Sequence, residues 1–164
     1  MFNILFICMG NICRSPSAEG FFARQLQGSS YADQISIDSA GTHSYHVGHA
    51  PDPRAIETGR QYDVQIDQLR ARKVSTSDFH DFDLIIAMDR RNLADLQDVR
   101  PDGSRAELKL MLAYHPEYQS GGQVDEVPDP YYGGIGGFVH MYELLELATA
   151  GLLKDIEARI RKEH

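Results

Sequence analysis

The stretch "ILFICMGNICRSPSAEGFF", Ile4 to Phe22, decides how the chain folds. It opens inside a near-continuous apolar run, residues 2–7, of the kind a parallel strand shows when both its faces are buried. The run ends at Cys8 and gives way to a short polar loop that reaches Arg14 and holds both cysteines of the chain. Ser15 and Pro16 then read as a helix N-cap followed by proline at the first helical position. Ala18, Phe21, Phe22 and Leu26 recur at helical spacing, so a helix follows the loop.

Downstream the same alternation repeats. Ile35 and Ile37 begin a second strand that ends at "SAGT" (39–42), and Asp52 with Pro53 repeats the cap-then-proline signal for a helix ending near Gly59. "DLIIAM" (Asp83–Met88) is a third buried strand, after which Asp89 caps a helix carrying Leu93, Leu96 and Val99 that Pro101 stops. "LKLML" (108–112) reads as a fourth strand, and a last helix sets Phe138, Met141, Tyr142, Leu145, Leu152 and Ile156 on one face. Strands alternating with helices predict a three-layer α/β/α fold with a four-stranded parallel sheet, in one domain spanning residues 1–164. In such sheets ligands bind beyond the C-terminal ends of the strands, and the loop after the first strand lies there.

Composition narrows the function. The start "MFNILFIC" has no basic leading region and too short an apolar run for a signal peptide, and no stretch nears the roughly 20 apolar residues of a membrane span. Two cysteines without an export signal predict a reducing, cytoplasmic setting. The net charge of −8 argues against nucleic acid as partner. An anionic substrate therefore needs a positive site built locally.

The loop from Cys8 to Ser15 can supply one. A helix N-terminus presents unpaired N–H groups and partial positive charge, and a turn containing Gly10 can curl further N–H groups around one oxyanion. Arg14 adds a planar fork that matches two phosphate oxygens. The same positive field favours the thiolate of Cys8, to which Ser15 can donate its hydroxyl. Asn11 tolerates a left-handed backbone and can hold the loop in shape. A buried Cys beside a solvated Arg is the ordinary alternative, but here Cys, five residues, Arg and Ser fall between a buried strand and a helix start. A nucleoside-triphosphate loop is excluded by the missing Gly-Lys-Ser/Thr ending.

"CMGNICRSPSAE" (8–19) resembles the signature of the low-molecular-weight protein tyrosine phosphatases, and "DSAGT", "DPRA", "FDLIIAMD" and "DPYYGG" resemble further landmarks of that family over essentially the whole chain. The resemblance implies Cys8 as nucleophile and Arg14 as phosphate-binding residue, with the N–H groups of Met9, Gly10, Asn11, Ile12, Cys13 and the residues to Ser15 completing the cradle. It implies supporting hydrogen bonds from Asn11, Ser15 and Ser39. Leu69 is a departure, standing where many relatives carry a histidine. On the residues alone "DPYYGGIGGF" (129–138) reads as a surface turn. The resemblance carries the family's general acid onto Asp129, and Tyr131 and Tyr132 beside it can flank a flat substrate. It also places Tyr45 on the substrate rim. It implies a phosphotyrosine protein as substrate, a tyrosine kinase by analogy with compact bacterial relatives, and neither metal nor cofactor.

His43, His46 and His49 raise the question of a metal, but no cysteine or Glu-x-x-His pattern accompanies them. Three rivals remain. An arsenate reductase of the thioredoxin-linked kind passes electrons through further cysteines, and none follows Cys13. Protein-arginine phosphatases of the same architecture resemble "GNTCRS", whereas Ile12 here suits an aryl ester. A non-catalytic phosphopeptide-binding module would need neither Cys8 nor Asp129. The expected redox role of the second cysteine is a Cys8–Cys13 disulfide formed under peroxide, which protects Cys8 from irreversible oxidation.

Overall fold

The computed structural model describes residues 1–118 and 123–163. Four strands, β1 (Phe2–Cys8), β2 (Ile35–Gly41), β3 (Leu84–Ala87) and β4 (Glu107–Leu110), form an all-parallel sheet in the order β2-β1-β3-β4. Helices α1 (Arg14–Leu26), α2 (Pro53–Gln61), α3 (Asp78–Asp81), α4 (Arg90–Val99) and α5 (Ile135–Glu163) connect and cover it.

Alternation along the strands builds the layers. Ile4 and Phe6 of β1, with Leu84 and Ile86 of β3, pack against Phe21 and Phe22 of α1 and Phe138, Met141, Tyr142 and Leu145 of α5. Leu5 and Ile7, with Ile85 and Ala87, face the other way onto Phe79 of α3 and Leu96 of α4. Strand β1 therefore has no solvent face, which is why its sequence is a run of apolar residues rather than an alternation. Each such fully buried side chain contributes about 1.5–3 kcal/mol of hydrophobic stabilisation.

The chain leaves β1 toward β2 on one side, and β3 pairs with β1 on the other, so the C-terminal ends of β1 and β3 flank the switch point where such sheets open a crevice. Cys8 closes β1, and Asp89 lies just beyond β3. At the end of β2, Gly41 leaves room for the loop after β1: a Cβ there would meet the Met9 carbonyl oxygen at 2.7 Å.

Several local expectations change. Helix α1 starts at Arg14 with Cys13 as its N-cap residue and no side-chain capping bond, so Ser15 is not the cap but lies within the first turn. Its hydroxyl is engaged by the loop instead. Pro16 is tolerated because first-turn N–H groups have no intrahelical acceptor. Asp52 and Asp89 do cap their helices, accepting from Arg54 N at 2.8 Å and Asn92 N at 2.7 Å. Helix α2 runs past Gly59 to Gln61. The fourth strand stops at Leu110, and Met111–Tyr114 wind into a 3-10 turn. Helix α3 has four residues, too few to leave a periodic signal in the sequence.

Candidate active site

The loop after β1 is shaped from outside. The carbonyls of Cys8, Met9 and Ile12 accept from the backbone N–H groups of Thr42 (3.0 Å), His43 (3.0 Å) and Asp52 (2.8 Å). Among the described residues, none of the N–H groups from Met9 to Ser15 donates to a protein acceptor. The loop thus offers a row of free donors at the N-terminus of α1, the arrangement that binds oxyanions. Asn11 holds its bend, at φ +57°. Its Nδ2 donates to Ser15 Oγ (2.7 Å) and Ser39 Oγ (3.0 Å), and its Oδ1 accepts from Arg72 N (3.0 Å).

Those bonds belong to a chain that ends on sulfur. Ser39 Oγ donates to Glu19 Oε1 at 2.6 Å, so it is free to accept from Asn11. Ser15 Oγ accepts from Asn11 and lies 3.0 Å from Cys8 Sγ, to which its proton can be given, while a longer contact of 3.5 Å runs from the same hydroxyl to the Ala40 carbonyl. Burial pushes the Glu19 carboxyl above its ordinary range, an effect that the Ser39 hydrogen bond partly offsets. Leu69 packs against the core and takes no polar part, and the backbone N–H of Arg72 steadies Asn11.

Arg14 is 3% exposed and held from three sides. Its Nη1 donates to Asp89 Oδ2 (2.6 Å) and to the Val127 carbonyl (3.0 Å), and its Nη2 lies 3.7 Å from Asp129 Oδ2. Burial works against its charge, but Cys8, Asp89 and Asp129 outweigh burial and raise its affinity for the proton above the ordinary value. Asp89 therefore does more than cap: one oxygen takes Asn92 N–H and the other orients the guanidinium.

Cys8, Met9, Gly10, Ile12, Cys13, Arg14, Tyr45, Asp129, Tyr131 and Tyr132 all line one cleft of about 280 Å³. Asn11, Ser15 and Ser39 lie behind its floor, buried. The rim is aromatic and open: Tyr132 is 86% exposed and Tyr45 73%. Tyr131 and Tyr132 meet edge to face at 4.9 Å, and Tyr45 stacks on His43 at 5.4 Å. Asp129 is exposed, with Oδ1 accepting from Tyr131 N at 3.1 Å. Cys13 lines the same cleft, and burial, reinforced by Cys8, pushes its thiol well up.

The sequence singles out His46 only as a possible metal ligand, not as part of the cleft, and is silent on Glu19 and the second role of Asp89. His46 joins the cleft wall, its ring packed over Gly10 and 6.0 Å from that of Tyr131. His43 stacks on Tyr45 while the rings of His46 and His49 lie 6.2 Å apart, and among the described residues no group of three His, Cys, Asp or Glu side chains converges as a metal site. The signal for Glu19 was available: a carboxylate four residues after Ser15, on a helix face otherwise buried. Asp89 gave none, because its partner is distant in sequence.

A family model described as low molecular weight phosphotyrosine protein phosphatase matches residues 3–163. The low molecular weight phosphotyrosine protein phosphatase of Schizosaccharomyces pombe is 44% identical over 155 residues, 94% of this chain and 96% of that protein. Among solved structures, a protein tyrosine phosphatase from Entamoeba histolytica with Hepes in its active site superposes with a TM-score of 0.88 at 37% identity, covering 96% of this chain and 98% of that one. YfkJ from Bacillus subtilis superposes at 0.86 with 35% identity, over 97% and 96% of the two chains.

Proposed function

The chain belongs to the low-molecular-weight phosphotyrosine protein phosphatase family, and from that premise we propose that its cleft hydrolyses phosphotyrosine with Cys8 as nucleophile, Arg14 as phosphate-binding residue and Asp129 as general acid. The observation that carries the assignment is that a thiol, a buried guanidinium and an exposed carboxyl border one cleft floored by unpaired N–H groups.

The chemistry runs as two displacements. Cys8 Sγ attacks phosphorus and the P–O bond to the tyrosine oxygen breaks, that oxygen taking its proton from Asp129. This leaves a cysteinyl phosphate and an ionised Asp129. A water then gives a proton to Asp129 as its oxygen bonds to phosphorus, and the P–S bond breaks to return the thiolate. Ser15 Oγ, 3.0 Å from the sulfur, stabilises that thiolate by donating to it. Charge on the phosphoryl oxygens is met by Arg14 and the loop N–H groups, fixed in advance by Asp89, Val127 and Asn11. Protons and electron pairs balance with water as the only co-reactant.

Ile12 in the cleft wall and the tyrosines of the rim suit an aryl ester better than the shorter phosphoserine or the guanidinium of phosphoarginine. An electron-relaying reductase would need cysteines beyond Cys8 and Cys13. The family implies a phosphoprotein substrate, for which a tyrosine kinase is the candidate by analogy with compact bacterial relatives, and two unpaired cysteines suit a reducing cytoplasm. Among the described residues no helix is long and apolar enough to cross a membrane.

Peptides of one sequence carrying phosphotyrosine, phosphoserine or phosphoarginine test the reading, assayed in EDTA for released phosphate. Phosphotyrosine is expected to be turned over fastest. Equal or faster release from either of the others overturns the substrate class.

A further inference from the structure

Asp129 sits on an exposed loop, yet it must meet a leaving oxygen above a sulfur that is anchored in the core. Arg54, in the first turn of α2, joins the two. Its guanidinium is forked onto Asp52, Nε to Oδ1 at 3.0 Å and Nη2 to Oδ2 at 2.9 Å. The remaining donor capacity goes to the loop that carries Asp129: Nη2 donates to the Tyr131 carbonyl at 2.9 Å and Nη1 to the Gly133 carbonyl at 3.1 Å. The guanidinium also lies over the Phe138 ring at 4.6 Å and the Tyr131 ring at 5.7 Å.

One end of this bridge reaches the loop of Cys8 and the other reaches Asp129. Asp52 donates its backbone N–H to the Ile12 carbonyl at 2.8 Å, so it is tied to the loop that holds Cys8. Tyr131, whose carbonyl Arg54 holds, gives its own N–H to Asp129 Oδ1 at 3.1 Å. The Arg54 fork holds the Asp52 carboxyl below the usual range for a carboxylate, so the fork stays ionised at neutral pH. We propose that Arg54 is a positioning residue for the general acid, setting through Tyr131 where the Asp129 carboxyl stands relative to Cys8. The proposal rests on the assignment of Asp129 as acid. Arg54 is not among the residues lining the cleft, so its effect must pass through the loop. A lysine could not replace it, because one ammonium cannot span a carboxylate and two carbonyls in a fixed fork.

The test is how rate depends on the leaving group. For Arg54→Lys and Arg54→Ala, kcat on phenyl phosphate is expected to fall about 10- to 100-fold, the range that a misplaced catalytic group costs. On para-nitrophenyl phosphate, whose leaving group needs little protonation, the fall should be much smaller. Inhibition by inorganic phosphate should stay as in wild type, which shows that the Cys loop is intact and the protein folded. In an Asp129→Asn background, Arg54→Ala should add no further leaving-group dependence. Equal losses on both esters, or a loss on phenyl phosphate that persists in the Asp129→Asn background, overturn the clamp alone. An Asp129→Asn variant that slows both esters equally overturns the acid assignment, and the clamp with it.

Discussion

From Asn11 to Ser15 the loop after β1 is buried, and its Ile12 carbonyl, its asparagine and its serine are bonded to β2, to the backbone at Arg72 and to the residue before α2. From Tyr131 to Gly134 the loop after Asp129 is exposed, and its side-chain tethers are those of Arg54 and Asp129. The first half of the cleft is a piece of the core that happens to face a substrate. The second is a surface segment brought to the core by a few polar bonds. Developing charge on a phosphoryl group is best met by donors that need no rearrangement, so those donors belong in the core. A proton donor must admit a bulky phosphoprotein and then let the product leave, which an exposed loop permits. Substitutions in the first half should therefore change chemistry and stability together. Substitutions in the second should change rate alone, and in proportion to the leaving group's need for a proton.

The largest expected effect breaks the chemistry and leaves the frame. Cys8→Ser should lower turnover more than about 10⁴-fold, since a serine there has no activating base. It should still bind phosphate or vanadate, whose partners are Arg14 and the loop N–H groups. Isothermal titration with vanadate beside a rate assay checks both, and substantial residual turnover in Cys8→Ser refutes the nucleophile assignment.

Asn11→Ala sharpens the contrast, because the side chain it removes touches no substrate yet sits where the loop and the core are one. It leaves Ser15, Ser39 and the Arg72 N–H short of a partner and puts alanine at φ +57°. The cost in folding stability should be about 3 kcal/mol, read by urea unfolding, with activity on phenyl and para-nitrophenyl phosphate falling in parallel. A leaving-group-dependent loss in this variant would mean that the two halves are not separate.

The same division decides what could be read from the sequence. The sheet, the layers and the Cys loop were legible because they follow local rules: an apolar run for a strand buried on both faces, Cys-x5-Arg at its end, and asparagine where the backbone turns left-handed. Ser15 reads as an N-cap in the sequence, but its hydroxyl answers to Cys8 and Asn11, so a site requirement overrides the capping rule. Asp89 was read as a cap only. A carboxylate has two oxygens, and nothing near it in sequence announces that the second faces an arginine 75 residues away. Arg54 is silent for the same reason, since its partners Tyr131 and Gly133 lie far along the chain. Asp129 stands out only through resemblance, because in isolation its loop has the composition of any turn.

The smallest expected effect on rate belongs to Cys13, which is buried in the loop but makes no polar contact with its side chain to the Asn11 and Ser15 network. Its thiol is pushed up by burial and then by the neighbouring Cys8, so it stays protonated and is a slow nucleophile. Under peroxide, the Cys8 thiolate gives its electron pair to one peroxide oxygen and becomes a sulfenic acid, releasing water once a proton is taken up. Cys13 sulfur can then attack Cys8 Sγ, losing its proton as a second water leaves, and the product is a Cys8–Cys13 disulfide that thiols reduce. Because Cys13 reacts as a thiol, this step should be slow enough for excess peroxide to carry part of the population on to the sulfinic acid. Cys13→Ser should keep turnover within about threefold of wild type, since its side chain is small and lies outside the hydrogen-bonded chain to sulfur. After a brief peroxide pulse, wild type should recover with dithiothreitol, while Cys13→Ser should recover less as exposure lengthens. Bound phosphate should slow inactivation of both by covering Cys8. Equal recovery of the two proteins, or no Cys8–Cys13 linked peptide by mass spectrometry in the oxidised wild type, removes the redox role and leaves Cys13 as packing in the floor of the cleft.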